Sequence, residues 1–248
     1  MARPLIIAHR GASAYAPENT RAAFELARDM GADGFECDVH LSKDGVPVVI
    51  HDENLKRLAG LNKRVRDLTC RKLQQLDIGS WFDRRFCEQR ILTLEEALVL
   101  SKPRFVCMVE VKDSGDGRTN ERLAREVAKS LKGARAMACS FNAGICAALK
   151  RMLPRLHVDW IAGDLRAMTR ALSAQKASEL GVNGLSADYR HLTVARVRQA
   201  HNAGLRVDAW TVNRAPSVLH LARLGVDAIE TDKPDMALKA LSAAGFTA

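Results

Sequence analysis

The sequence predicts an α/β fold: a single (β/α)₈ barrel of the TIM type with a small insertion after a β-hairpin. Three observations predict it. The chain has 248 residues, 47% of them hydrophobic, and one such barrel typically takes about 250 residues. From Ala97 onward helix-period patterns alternate with short apolar runs, as parallel strands joined by crossover helices require. One layout also recurs in Gly31-Ala-Asp-Gly-Phe-Glu-Cys-Asp38, Gly181-Val-Asn-Gly-Leu-Ser-Ala-Asp188 and Gly225-Val-Asp-Ala-Ile-Glu-Thr-Asp232. Each copy sets a glycine that can end a helix before a short buried strand with an acid at its far end. An open doubly wound sheet is the alternative, but no Gly-x-Gly-x-x-Gly fingerprint supports it.

The first strand covers residues 5–9 and ends at His9. The second, 33–38, carries Glu36 and Asp38 two residues apart, so both side chains share one face. Lys43-Asp44-Gly45 follows, and Asp-Gly between apolar runs signals a tight hairpin. With Asp44 and Gly45 as the two turn residues, the return strand 46–51 pairs Asp38 with His51, their Cβ atoms about 5 Å apart. This return strand is an excursion from the barrel. Residues 52–92 are too long for an ordinary βα loop and read as an inserted subdomain within one domain spanning 1–248. Thr93 and Glu96 have capping-box spacing ahead of a helix. The remaining barrel strands fall at 105–111, 136–140, 156–161, 183–187, 206–211 and 227–231. Between them, Asn120 is placed as the cap of a helix whose Leu123, Val127 and Leu131 recur at helical spacing. Pro216 suits the first turn of a helix that stops near Gly225.

No apolar run approaches the ~20 residues of a membrane span, so no integral membrane segment is expected. Met1-Ala2-Arg3-Pro4 runs into the first strand without the apolar segment of a signal peptide, and a cytoplasmic protein is expected. Six cysteines lack any Cys-x-x-Cys spacing and read as reduced, buried or half-buried thiols. The net charge of +9 concentrates in residues 56–90 and 118–135 and favours anionic partners. With 5% aromatic residues there are few platforms for stacking bases. Such a basic surface suits anionic lipid heads or a phosphorylated small-molecule substrate, or is simply a set of solvated helix faces, and no nucleic-acid partner is expected. Oligomeric state is not legible.

In such a barrel the active site lies at the C-terminal ends of the strands. His9 with Arg10, Glu36 with Asp38, Glu110 with Lys112, and Trp210 with Asn213 all stand at those ends. Three carboxylates without cysteine select a hard cation, magnesium or calcium, over zinc. Two strand-end acids facing one interior would otherwise repel. His9 and His51 offer a base and an acid, while Arg10 and Lys112 offer positive charge to a phosphate. The set suggests metal-assisted phosphoryl chemistry. Glu230 and Asp232 form a second Glu-x-Asp pair, but no hairpin histidine faces them, and they are assigned structural roles. Trp210 is equally compatible with ordinary barrel packing.

Together, His9-Arg10-Gly11, Pro17-Glu18-Asn19-Thr20, Glu36-x-Asp38-Val39, Asp44-Gly45 and His51-Asp52 resemble the signature of glycerophosphodiester phosphodiesterases. The likeness continues through Leu76-Asp77-x-Gly79-Ser80-Trp81-Phe82, Thr93-Leu94-Glu95-Glu96, Glu110-Val111-Lys112, Ser140-Phe141, Trp210-Thr211-Val212-Asn213 and Thr231-Asp232-x-Pro234. It spans nearly the whole chain and looks most like the short cytosolic bacterial members. It implies hydrolysis of deacylated phospholipids to sn-glycerol 3-phosphate and an alcohol, with one divalent cation, Mg²⁺ or Ca²⁺. Carried over by motif, Glu36, Asp38 and Glu110 hold the metal, and His9 and His51 form the acid/base pair. Arg10 holds phosphate, and Lys112 and Trp210 line the substrate pocket. Leu92 and Glu230 depart from the family pattern, which has proline and an apolar residue there. A phospholipase D-like activity on lysophospholipids or sphingolipids would need an apolar entrance; Leu55, Leu58, Leu61, Trp81 and Phe82 of the insertion are candidates for it or for a small core. A catalytically silent metabolite-binding barrel is opposed by the retention of both histidines and all three acids.

Overall fold

The computed structural model describes residues 2–164, 169 and 179–247. Eight parallel strands close into a barrel: β1 (Leu5–Ala8), β2 (Gly34–Leu41), β5 (Val106–Val111), β6 (Ala136–Ser140), β7 (His157–Ala162), β8 (Gly184–Asp188), β9 (Arg206–Trp210) and β10 (Ala228–Thr231). Pairing runs β1-β10-β9-β8-β7-β6-β5-β2, and β1 also pairs with β2 to close the ring. All eight expected strands are present, with bounds within a few residues of those read from the pattern. The antiparallel β3 (Pro47–Val49) and the two-residue β4 (Leu92–Thr93) extend one edge beside β2. The segment joining β7 to β8 lies mostly outside the described residues.

Alternation along the strands divides the apolar side chains into two layers. Ile6, Ala8, Phe35, Cys37, Val39 and Val109 face outward into the main core, packed against the surrounding helices. There Phe35 lies between Phe24 and Phe105, with ring centroids 4.3 and 5.3 Å away. Ile7, Met108, Cys139, Ile161 and Ala228 face inward and make a smaller layer. Above it, the interior becomes polar.

Local signals behave mostly as read. Thr93 and Glu96 form a reciprocal capping box. Pro216 stands in the first turn of helix Ala215–Leu224, and Gly225 ends that helix with φ +83°. The expected cap at Asn120 is corrected. Helix Gly117–Leu131 starts four residues earlier, capped by Asp116, whose side chain accepts from Thr119 N. Asn120 is buried and donates to Asp113 Oδ1 instead. Five of the cysteines are buried, but Cys87 is exposed, on the short turn that follows Arg84–Phe86.

The hairpin is antiparallel as expected, but its register differs by one residue. Val39 pairs with Val49, His40 with Val48 and Leu41 with Pro47, which puts Asp38 opposite Ile50 and not His51. The turn holds three residues: Ser42 N donates to Val46 O across it, and Gly45 adopts φ +83°. A three-residue turn with left-handed glycine is the next preference after the two-residue form.

Residues 52–92 carry short helices at Lys56–Ala59 and Cys70–Leu73 and single turns at Val65–Asp67 and Arg84–Phe86. Their apolar side chains pack with Val48 and Ile50 into a separate cluster containing Leu55, Leu58, Val65, Leu73 and Ile78. Leu55 and Leu58 therefore serve that core, and Leu61 packs against it. Trp81 stays 43% exposed beneath the Arg57 guanidinium, edge-on to Phe82.

Candidate active site

Strand register assembles the site at the C-terminal mouth. β2 and β5 pair Asp38 with Glu110, and Glu36 stands one inward position below Asp38. Ligand atoms of Glu36, Asp38 and Glu110 all lie within 4.8 Å of one another. Lys112, one inward position beyond Glu110, sets its Nζ 2.7 Å from Asp38 Oδ1 and 2.7 Å from Glu110 Oε1. β2 continues beyond its barrel portion to Leu41, as the hairpin requires, because its last residues pair with the return strand.

The turn after β1 supplies the next two residues. Arg10 takes φ +57°, sparsely allowed for a non-glycine residue. Its backbone N–H donates to Glu36 Oε2 at 3.0 Å, while its guanidinium reaches Glu18 Oε1 at 3.1 Å and Asp38 Oδ2 at 3.3 Å. Asn19, also left-handed at φ +58°, fixes Asp38: its Nδ2 donates to Oδ2 at 2.7 Å and its Oδ1 accepts from the Asp38 N–H. Gly11 lets the loop fit beneath the first helix. A Cβ there would stand 2.6 Å from the Ala23 backbone.

Both histidines reach the cleft with the same support. His9 Nδ1 lies 2.8 Å from Asp232 Oδ1, and His51 Nδ1 lies 2.7 Å from Asp52 Oδ1. A carboxylate on Nδ1 fixes the tautomer and leaves Nε2 free. Asp232 also accepts from Ser13 Oγ and Asn213 Nδ2, and Asp52 from Arg57 Nε at 2.6 Å. Arg57 reaches on to both oxygens of Glu18 at 2.7 and 2.8 Å, tying the insertion to the β1 loop. His51 arrives despite the altered register because the chain leaves the ladder at Ile50; His40 Nε2 meets the His51 carbonyl at 3.0 Å in that bend.

The structural role assigned to Asp232 is thus corrected: it orients His9. Glu230 also lines the cleft, with His9, Glu36 and Ser186. Comparing each acid with the hairpin histidine could not find these contacts, since His9 and Asp232 are 223 residues apart. The repeated strand-end acid was the available signal. Trp210 meets Phe141 edge to face, centroids 5.8 Å apart, and together they form an apolar wall.

The charges are strongly interdependent. Burial and the neighbouring Asp38 and Glu110 carboxyls push Glu36 well above its ordinary value. Burial and Asp38 likewise raise Glu110. Burial opposes ionisation of Asp38 too, but Lys112 and Arg10 outweigh it and hold this carboxyl below the usual range. Burial, with Lys112 and Arg10 adding to it, lowers His51 and favours a neutral ring. Glu36 is 2% exposed, and its Oε1 has no hydrogen-bond partner among the described residues. An orphaned carboxylate oxygen beside two further carboxylates fits a hard divalent cation.

The chain matches the Glycerophosphoryl diester phosphodiesterase family over residues 9–236. A glycerophosphodiester phosphodiesterase from Caldanaerobacter subterraneus is 34% identical over 239 residues, covering 94% of this chain and 96% of the relative. One from Bacillus subtilis is 30% identical over 251 residues, covering 94% and 85%. The structure is similar to that of an Oleispira antarctica phosphodiesterase in complex with the product sn-glycerol-3-phosphate. That likeness has a TM-score of 0.88 and 29% identity, and it covers 97% of each chain.

Proposed function

The chain belongs to the glycerophosphoryl diester phosphodiesterase family, and we propose how its residues divide the hydrolysis of a glycerophosphodiester to sn-glycerol 3-phosphate and an alcohol. The observation that carries the reading is the convergence of the Glu36–Asp38–Glu110 triad with two carboxylate-backed histidines on one cleft. A divalent cation held by Glu36, Asp38 and Glu110, Mg²⁺ or Ca²⁺, supplies positive charge at the phosphate oxygens. Arg10 and Lys112 hold the phosphate, and the Phe141–Trp210 wall borders the substrate.

His9 is the base: its free Nε2 takes the proton of the attacking oxygen, either water or the glycerol 2-hydroxyl. As the new P–O bond forms, the bond to the alcohol breaks, and His51, once protonated on Nε2, gives that proton to the departing oxygen; attack by the 2-hydroxyl leaves a cyclic phosphate, which water then opens to sn-glycerol 3-phosphate. Each such step is typically worth about 10²–10⁴-fold in rate. Residues 52–92 act as an inserted subdomain that holds His51 through Asp52 and Arg57. Six free cysteines, five of them buried, support action in a reducing cytoplasm.

The test is a metal-stripped assay on glycerophosphocholine, with each cation added back and glycerol 3-phosphate measured. Activity should vanish on stripping and return with Mg²⁺ or Ca²⁺. Glu110→Gln should lower it by about 10²-fold or more and weaken cation binding. Unchanged cation affinity by calorimetry in Glu110→Gln would reject the metal assignment. Near-normal turnover of both His9→Ala and His51→Ala would reject the acid–base pair.

A further inference from the structure

Around the cleft, apolar Cys139, Ile161 and Trp210 line β6, β7 and β9, and a polar pair, Ser186 and Glu230, lines β8 and β10 on either side of β9. Strand alternation puts this pair there. β8 directs Ser186 inward and β10 directs Glu230 inward, and both are buried. Ser186 Oγ donates to Glu230 Oε1 at 3.3 Å. A carboxylate oxygen of Glu230 lies within 4.8 Å of ligand atoms of both His9 and Glu36. Behind it stands Asp208, 4% exposed, which meets the Glu230 carboxyl. The Asp208 carboxyl is held by Glu230 and by the Ala209 backbone, and no cationic side chain bonds it among the described residues. Two buried acids in contact on an inner wall are destabilising unless they do something there.

We infer that Glu230, with Ser186 beside it and Asp208 behind it, hydrogen-bonds the hydroxyls of the substrate's glycerol unit, a contact this chain adds where the family pattern is apolar. The inference rests on the hydrolase reading above and adds a substrate-contacting group to it. Phosphate is a poor partner for Glu230: the groups that meet an anion are Arg10 and Lys112, and a carboxyl facing it would repel. A hydroxyl both donates and accepts, matching a carboxyl and a serine together. Glu230 also neighbours His9, the base, and in an in-line displacement the departing alcohol lies opposite the attacking oxygen, toward His51. The glycerol is the part of the substrate left on the Glu230 side.

Competitive inhibition by sn-glycerol 3-phosphate and by n-propyl phosphate, which has the same carbon chain without hydroxyls, tests this on the full chain. Glycerophosphocholine is the reporter substrate and Mg²⁺ is saturating. Wild type should bind glycerol 3-phosphate more tightly, and Glu230→Leu should reduce that preference about tenfold or more. Inhibition by n-propyl phosphate and calorimetric Mg²⁺ affinity should change less than twofold. Should Glu230→Leu not fold by circular dichroism, Glu230→Gln combined with Ser186→Ala carries the same expectation. An unchanged inhibitor ratio in a wild type that hydrolyses glycerophosphocholine overturns the inference alone. Equal weakening of both inhibitors together with lost Mg²⁺ affinity also overturns it, because Glu230 would then act through the cation. A shift confined to inhibition by phosphocholine assigns Glu230 to the headgroup and overturns it as well. A wild type that releases no glycerol 3-phosphate overturns the hydrolase reading and this inference with it.

Discussion

At the scale of single residues, the two histidines are made useful by the acids behind them. His9 and His51 were legible because each ends a strand, and the hairpin returns His51 toward Glu36 and Asp38. Asp232 was not, because its partner belongs to the opposite end of the chain and meets it only when β10 closes against β1. Replacing Asp232 with Asn removes the carboxylate that fixes the His9 ring. On glycerophosphocholine at saturating Mg²⁺, kcat/KM should fall about 10–100-fold, with an unchanged circular dichroism spectrum. A value within twofold of wild type would show that His9 needs no such support.

Among the elements, the hairpin and the β1 loop both depend on left-handed glycine, for different reasons. Gly45 turns the hairpin at φ +83°, and a Cβ there would meet the end of the Arg122 side chain, which can move aside. Gly11 also sits at φ +83°, but its Cβ would strike the backbone of the first helix at Ala23, which cannot. Gly45→Ala should therefore destabilise by about 1–2 kcal/mol, the usual strain of a left-handed alanine. Gly11→Ala should cost more than Gly45→Ala and should also reduce activity, since Arg10 adjoins it. Urea unfolding of the two variants ranks them, and the reverse order would contradict the geometry. The same hairpin shows why its register escaped the sequence. Asp44-Gly45 suits a two-residue or a three-residue turn, and only pairing with β2 and the apolar contacts of Val48 and Ile50 select between them.

Across the whole molecule, the barrel interior holds more acid than its walls can neutralise. Burial pushes Asp208 up to about 6, and burial with Asp208 pushes Glu230 well above its ordinary value. Below about pH 4 the Asp208 carboxyl is protonated whether the chain is folded or not. Between about pH 4 and 6 the unfolded chain has released that proton while the folded one keeps it. Stability is therefore present at low pH and lost as pH rises. Asp208→Asn should be more stable than wild type at pH 8, with the gap narrowing toward pH 4. Denaturant midpoints across that range test it, and a gap that is constant or widens toward acid would show that Asp208 is not held protonated by burial.

By itself the sequence determined the eight strands, the apolar positions of residues 52–92, and the acids, histidines and cations that occupy the mouth. Each of these is written in local periodicity, turn chemistry or motif spacing, which neighbouring residues carry among themselves. Only the tertiary structure decided the hairpin register, the acid behind His9, and the placing of Glu230 and Asp208 beside Ser186 on one inner wall. Those contacts come from ring closure and strand stagger, which join residues far apart in the chain; the repeat marks the strand-end acids but not the residue each one meets.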